Sequence, residues 1–305
     1  MAEFFAAGRE FLFPLLVQAA QILFAAGYAL LLPAAAFAVL ALVAKRRNAL
    51  AAAVRAARET RINLSIYFLD ALLLGPPLAL LLAAMAALFQ AGGLYLVSPE
   101  RWSGLPPVLV GFLAVVAGDF VGYWRHRLEH TRLLWPSHAI HHSDTEMTWL
   151  ALARFHPVSR LVTLLLDNSI LFLLGFPPYA LLVNNFVRHY WGHFIHADLP
   201  WTFGPLGKIV VSPVMHRWHH SIDPRAHGTN FATIFSVIDR LFGTFRVPGP
   251  CTGPLGVAHE MGHGVIGQLA YPFRPEAYSS GSTGAPMRHD AMQRAGLAGQ
   301  ADPAE

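Results

Sequence analysis

Charge is what this chain has least of. Only 13% of its 305 residues are Asp, Glu, Lys or Arg, whereas about 25% is usual in soluble domains; 54% are hydrophobic and mean hydropathy is +0.43. That balance excludes an ordinary soluble domain and a disordered chain, and places the protein in a bilayer. Cysteine is nearly absent: Cys251 stands alone, so no disulfide can close within the chain and a disulfide scaffold is excluded. Acidic and basic residues almost cancel, 22 Lys and Arg against 18 Asp and Glu, and the basic ones are scattered, which argues against a nucleic-acid partner. Histidine, by contrast, is abundant, with sixteen residues unevenly placed.

The apolar runs define the spans. Between Glu10 and Lys45 no charge occurs, a length that as helix would reach about 50 Å against about 30 Å of hydrocarbon. We read Phe11 to Gln21 as an apolar lead-in that stays attached and Ile22 to Ala44 as the first span. A basic loop follows, with Lys45, Arg46, Arg47, Arg55, Arg58 and Arg61 against Glu59, and such loops stay on the cytoplasmic side. The second span runs from Leu64 to Gln90, with a kink expected at Gly75-Pro76-Pro77. The third, Pro106 to Tyr123, brings the chain back to the cytoplasm at His126.

The next apolar stretch, Leu161 to Val187, is too short for two full crossings and carries the turn signal Gly175-Phe176-Pro177-Pro178. A single crossing would put the histidines before and after it on opposite faces. A tilted or re-entrant helical hairpin keeps them together. The expected fold is therefore an all-α integral membrane protein of about three full spans plus this hairpin, with a cytosolic helical cap carrying the histidines. Three regions follow: 1–105 with the lead-in and first two spans, 106–248 with the third span and the histidine-rich domain, and a Gly/Pro-rich 249–305 ending in a disordered tail.

Four histidine groups stand out: His126 with His130; His138 with His141 and His142; His189, His193 and His196; and His216 with His219 and His220. Spacings of three and four return to nearly the same side of a helix, so HxxxH and HxxHH each aim their imidazoles one way. Five of the seventeen residues from His126 to His142 are histidine, far more than scattered core or interfacial histidines would give. Neutral imidazole suits iron, zinc, copper and nickel. HxxxH and the two HxxHH groups supply eight imidazoles, and one ion accepts at most about six ligands, so two ions are the economical reading. The third group sits among Tyr190, Trp191 and Phe194 and equally suits an interfacial anchor; His193 and His196 are its candidate ligands. Asp119, Asp144, Asp223, Asp239 and His156 are candidates to hold the rings in orientation. His227 suits either role.

The motifs His126-Arg127-Leu128-Glu129-His130, His138-Ala139-Ile140-His141-His142 and Met215-His216-Arg217-Trp218-His219-His220-Ser221, closed by Asp239-Arg240-Leu241-Phe242-Gly243-Thr244-Phe245, resemble the fatty acid hydroxylase/sterol desaturase superfamily over roughly Asp119 to Phe245. The resemblance implies a membrane oxidoreductase with a centre of two iron ions held by cytosolic helices, and the charge placement points to the inner or an ER-like membrane with that centre facing the cytoplasm. Such an enzyme uses O2 and external electrons to hydroxylate or desaturate a lipid. It implies His126, His130, His138, His141, His142, His196, His216, His219 and His220 as ligands and leaves the count at His189 and His193 open. It also implies a separate electron donor, a reductase with ferredoxin or cytochrome. The second and third spans are expected to line a tunnel for the lipid chain, with Trp149, Trp191 and Trp218 at its mouth.

Two rival readings remain in the sequence. His259-Glu260-Met261-Gly262-His263 satisfies the zinc-peptidase pattern HExxH, although Gly249 to Gly267 holds six glycines and two prolines, poor material for the helix that pattern needs. A non-catalytic metal- or haem-binding membrane protein is the other, against which CxxCH is absent.

Overall fold

The computed structural model describes residues 2–257, 261, 262 and 264–278, with side chains from residue 13 onward. The HExxH histidines and glutamate, His289 and the expected tail beyond 278 lie outside the described residues. Described secondary structure is helical, apart from one isolated bridge between Ser221 and Leu255.

The chain opens with α1 (Ala2–Lys45), then α2 (Ala49–Arg55), α3 (Ala57–Leu69) and α4 (Gly75–Gly92). Short α5 (Glu100–Ser103) leads to α6 (Pro107–Glu129) and α7 (Trp135–His142). A helical hairpin follows, α8 (Pro157–Leu173) and α9 (Pro178–His196), and then α10 (Pro213–His219), α11 (Ser236–Leu241) and α12 (Gly264–Ala270). Three stretches, Phe13–Arg55, Ala57–Gly92 and Pro107–Glu129, are long and apolar enough to cross a membrane, in the order the sequence indicates. Their outer faces are those of a lipid-solvated protein: Leu32 is 78% exposed and Leu80 73%, a cost in water that a bilayer removes.

At the expected kink the backbone rewinds instead of breaking. Pro76 and Pro77 lack amide donors, and the residues before them, Asp70–Leu74, form a π turn in which the Gly75 N–H donates to the Asp70 carbonyl. Asp70 then reaches across to Arg160 of α8 at 2.7 Å.

The hairpin enters and returns. Together its arms, about 26 and 28 Å long, extend past the apolar stretch at both ends, and the charges within and beside that stretch are paired: Arg125 and Arg188 share Asp167, at 2.8 and 3.0 Å. Buried ion pairs of this kind hide charge from lipid. The tip packs against the loop joining α4 to α5, where the Leu96 N–H donates to the Leu173 carbonyl at 2.6 Å. Gly175 turns the chain there at φ +62°, and a Cβ on it would stand 2.2 Å from the Val97 carbonyl oxygen. Gly175→Ala should therefore destabilise the protein by about 1–3 kcal/mol, read as a lower unfolding temperature in detergent; an unchanged temperature would show that the tip does not need this contact.

Candidate metal centre

Four helices end at one place. Each begins with a proline in its first turn, Pro107, Pro136, Pro178 or Pro213, and finishes on a histidine or is capped by one. The last turn of α6 carries His126, with His130 as its cap; α7 ends in His138, His141 and His142; α9 ends in His196; α10 carries His216 and His219 and is capped by His220. Helix C-termini carry partial negative charge, so four of them aimed together favour cations.

The nine imidazoles form two buried groups. His126, His130, His138, His142 and His219 make one, and His141, His196, His216 and His220 the other, with the potential ligand atoms of each group all within 4.8 Å of one another. Within the first, Nε2 of His126 lies 3.1 Å from that of His138 and 3.0 Å from that of His219. Within the second, His196 Nε2 is 3.0 Å from His141 and 2.9 Å from His216.

The approach of His126 to His219 is not a hydrogen bond between rings. His126 Nδ1–H donates to the Phe231 carbonyl at 2.8 Å and His219 Nδ1–H to the Thr229 carbonyl at 2.7 Å. With each ring's proton used outward, two bare lone pairs face one another at Nε2, and only a cation between them relieves the repulsion. Additional protons do not supply it: burial drives His219 down to about 4 and His196 to about 3, and holds His141, His142, His216 and His220 well below the usual value. The spacing suits a metal. At about 2.1 Å from an ion, two imidazole nitrogens at right angles stand about 3.0 Å apart.

His193, a candidate from its spacing, is not brought into either group. Its Nε2 lies 3.2 Å from His189, its Nδ1 bonds the Trp149 carbonyl at 2.8 Å, and Phe37 and Trp149 pack on it. His227 is likewise in neither group.

The candidate orienting residues divide. No described hydrogen bond joins the side chains of Asp119, Asp144, Asp223, Asp239 or His156 to a ring of either group. Asp119 and Asp239 act one step further out, together binding five consecutive backbone N–H groups. Asp239 takes those of Phe231 (2.7 Å) and Ala232 (2.9 Å), and Asp119 those of Thr233, Ile234 and Phe235. That braced loop presents the Thr229 and Phe231 carbonyls that orient His219 and His126. Burial raises Asp239 to about 6 despite these donors. Asp144 is bound by Asn63 at 2.9 Å, Asp223 pairs with Arg225 on the outside, and His156 caps α8 through the Val158 N–H. The carboxylate nearest a ring is Glu129, inside the first motif and not singled out there; it is buried, pairs with Arg125, and lies 3.8 Å from His138 Nδ1. Its i, i+4 spacing from Arg125 was the available signal.

A cavity of 260 Å³ reaches both groups, with His126, His138, His141, His196 and His216 on its wall. The end of α6, α8 and α9 line it, not the second span or residues 106–123 as expected for a tunnel, because the hairpin fills the space beside α6. Nor do the three tryptophans border it: Trp149 stacks on Phe37, Trp191 donates to the Val211 carbonyl and Trp218 to the Gly249 carbonyl.

Comparison with known proteins meets this geometry directly, because the fatty acid hydroxylase family matches residues 111–244, which contain all nine clustered histidines. That stretch is similar to the fatty acid hydroxylase family. Over 177 residues the chain is 34% identical to an ornithine lipid hydroxylase of Rhizobium tropici, covering 57% of this chain and 53% of the relative. It is 33% identical over 168 residues to an alkylglycerol monooxygenase of Danio rerio (54% and 36%), and 29% identical over 131 residues to a Delta(7)-sterol 5(6)-desaturase of Gibberella zeae (43% and 36%). The chain thus spans about half or less of the length of these relatives, whose names are those of oxidoreductases. No solved structure matches.

Proposed function

We propose that the protein is a membrane oxygenase that hydroxylates or desaturates a lipid at a pair of iron ions, using O2 and electrons from a separate donor. The observation that carries this reading is the division of nine buried imidazoles into adjoining groups of five and four, both reached by one cavity. All-nitrogen donor sets of that size suit two redox-active ions better than a four-ligand structural zinc. Bound there, the irons supply the dioxygen chemistry that breaks an unactivated C–H bond, which side-chain acid/base groups cannot do.

The chain's own part is to hold and shield. His126, His130, His138, His142 and His219 would hold one ion, and His141, His196, His216 and His220 the other. Asp119 and Asp239 fix the loop that orients His126 and His219. Arg125 and Arg188 neutralise Asp167 and Glu129 beside the cavity, so no loose charge competes for the ions. Phe155 stacks on His141 at 4.6 Å and helps keep bulk water out.

The centre faces the cytoplasm in this reading. Glu59 and Asn63, at the end of the basic loop, bond to Arg154 and Asp144 next to the second histidine motif. The positive segment and the histidines therefore share one end of the bundle.

The test is lipid profiling of a host with and without the protein. A lipid should gain one oxygen or lose two hydrogens when the protein is expressed. An unchanged profile in a host with a competent electron donor would overturn the proposal.

A further inference from the structure

The loop braced by Asp119 and Asp239 climbs the third span. Phe231 starts at His126, whose Nδ1–H its carbonyl accepts at 2.8 Å. Phe235 ends at Asp119, with its N–H 2.7 Å from the carboxylate, and its ring centre lies 6.2 Å from that of Phe112. Asp119 and Phe112 stand seven and fourteen residues before His126 on α6, about 10 and 21 Å along its axis. α11 then brings the chain back down, and Phe242 packs on Phe120 and Trp124 with ring centres 6.1 and 4.9 Å apart. Between Pro107 and Trp124 the only charged residue of α6 is Asp119, so the climb runs beside the membrane-crossing part of that helix and not beyond its end.

Non-helical backbone at such a depth has to find its hydrogen bonds within the protein, because hydrocarbon offers none. Two fully buried carboxylates serve five amides in a row here, which gives them a reason to stand beside a span. The stretch 201–211 accompanies the loop: the Val211 N–H donates to the Ile234 carbonyl and the Ser236 hydroxyl to the Gly207 carbonyl, both at 2.8 Å. The outer side of this pair is apolar. Leu241 is 74% exposed and Leu206 and Ile209 55% each, and through Phe235 and Phe242 the surface continues into exposed Phe112 and Phe120 of α6. Of the charged residues in the two stretches, Asp239 is buried and only Lys208 and Arg240 are exposed. Both are cations whose long stems can lie along apolar surface while the charge reaches the lipid phosphates.

We propose that residues 201–211 and 231–242 form a wedge seated in the leaflet nearest the histidines, the cytoplasmic one in the orientation above. Its apolar side lies against acyl chains, with Lys208 and Arg240 at the phosphates. The proposal rests on the membrane placement of α6 and not on the oxygenase reading. Part of what carries the histidines is then a membrane element and not a cytosolic cap: the loop whose carbonyls orient His126 and His219 is held within the bilayer.

The test is spin labelling of the full chain in phosphatidylcholine nanodiscs, with a nitroxide on Ile209→Cys or Val237→Cys in a Cys251→Ala background. Oxygen, which concentrates among acyl chains, and a water-soluble nickel chelate are the two relaxing agents. Leu80→Cys on the second span is the lipid reference and Arg225→Cys the water reference. Both wedge labels should respond to oxygen as Leu80→Cys does and lose the nickel response seen at Arg225→Cys. A nickel response equal to that of Arg225→Cys would overturn the proposal. Protection from both agents would overturn it as well, and spin–spin broadening would then show a second copy of the chain on this face. Should either variant fail to fold, Leu241→Cys, one turn after Val237 on α11, decides by the same criteria, and because Cys251 is buried the wild-type background serves if Cys251→Ala is unstable.

Discussion

Replacing His141 with alanine should abolish the lipid product and strip iron from the protein. The group of four would fall to three donors, and His196 Nε2, 3.0 Å away, would lose its neighbour. Loss of a residue that merely orients a ligand typically costs 10–100-fold, so loss of the donor itself should lower activity by at least about a hundred-fold. His219→Ala should also abolish product but retain more metal, because the group of five keeps four donors. His193→Ala, outside both groups, should keep its iron. Metal analysis of the three purified variants beside wild type separates these outcomes. Full activity in both His141→Ala and His219→Ala would end the metal account, and iron loss in His193→Ala would require redrawing the groups.

Asp119→Ala should be the most destabilising change away from the histidines. It strands the N–H groups of Thr233, Ile234 and Phe235, the middle one buried and the outer two half-buried, and each buried orphan costs about 1–3 kcal/mol. The total should be about 3 kcal/mol or more. The unfolding temperature in detergent should drop by several degrees, and the group of five should lose metal through His126 and His219, whose carbonyl partners lie on the loosened loop. Asp119→Asn should fall between, because one amide oxygen still accepts while the amide nitrogen opposes a donor. An Asp119→Ala protein as stable as wild type would show that Asp239 alone braces the loop.

The parts of the site visible in the sequence are those set by local spacing. HxxxH and HxxHH fix the direction of their rings within one or two helical turns, and the need for a shared site required the stretch around Gly175 to turn back. Other parts depend on partners more than a hundred residues away. Asp119 meets its amides 114 to 116 positions downstream, so the residue could be suspected but its action through the loop could not. His193 shows the limit of spacing: three residues before His196, it is rotated enough on α9 to meet Trp149 instead. The cavity wall was hidden for a different reason. Asp167, Asn168, Asn184 and Arg188 interrupt what reads as an apolar hairpin, and only their pairing across α6, α8 and α9 shows them as one polar surface. The position of Glu129 against His138 likewise depends on how α6 and α7 meet.

Everything in the account depends on two ions held by nine imidazoles. The direct measurement is metal content per chain in protein purified without chelators, with an absorption spectrum taken on the same sample. The account predicts about two irons and no haem band. One zinc per chain, a haem spectrum, or metal-free protein that takes up no iron would contradict it.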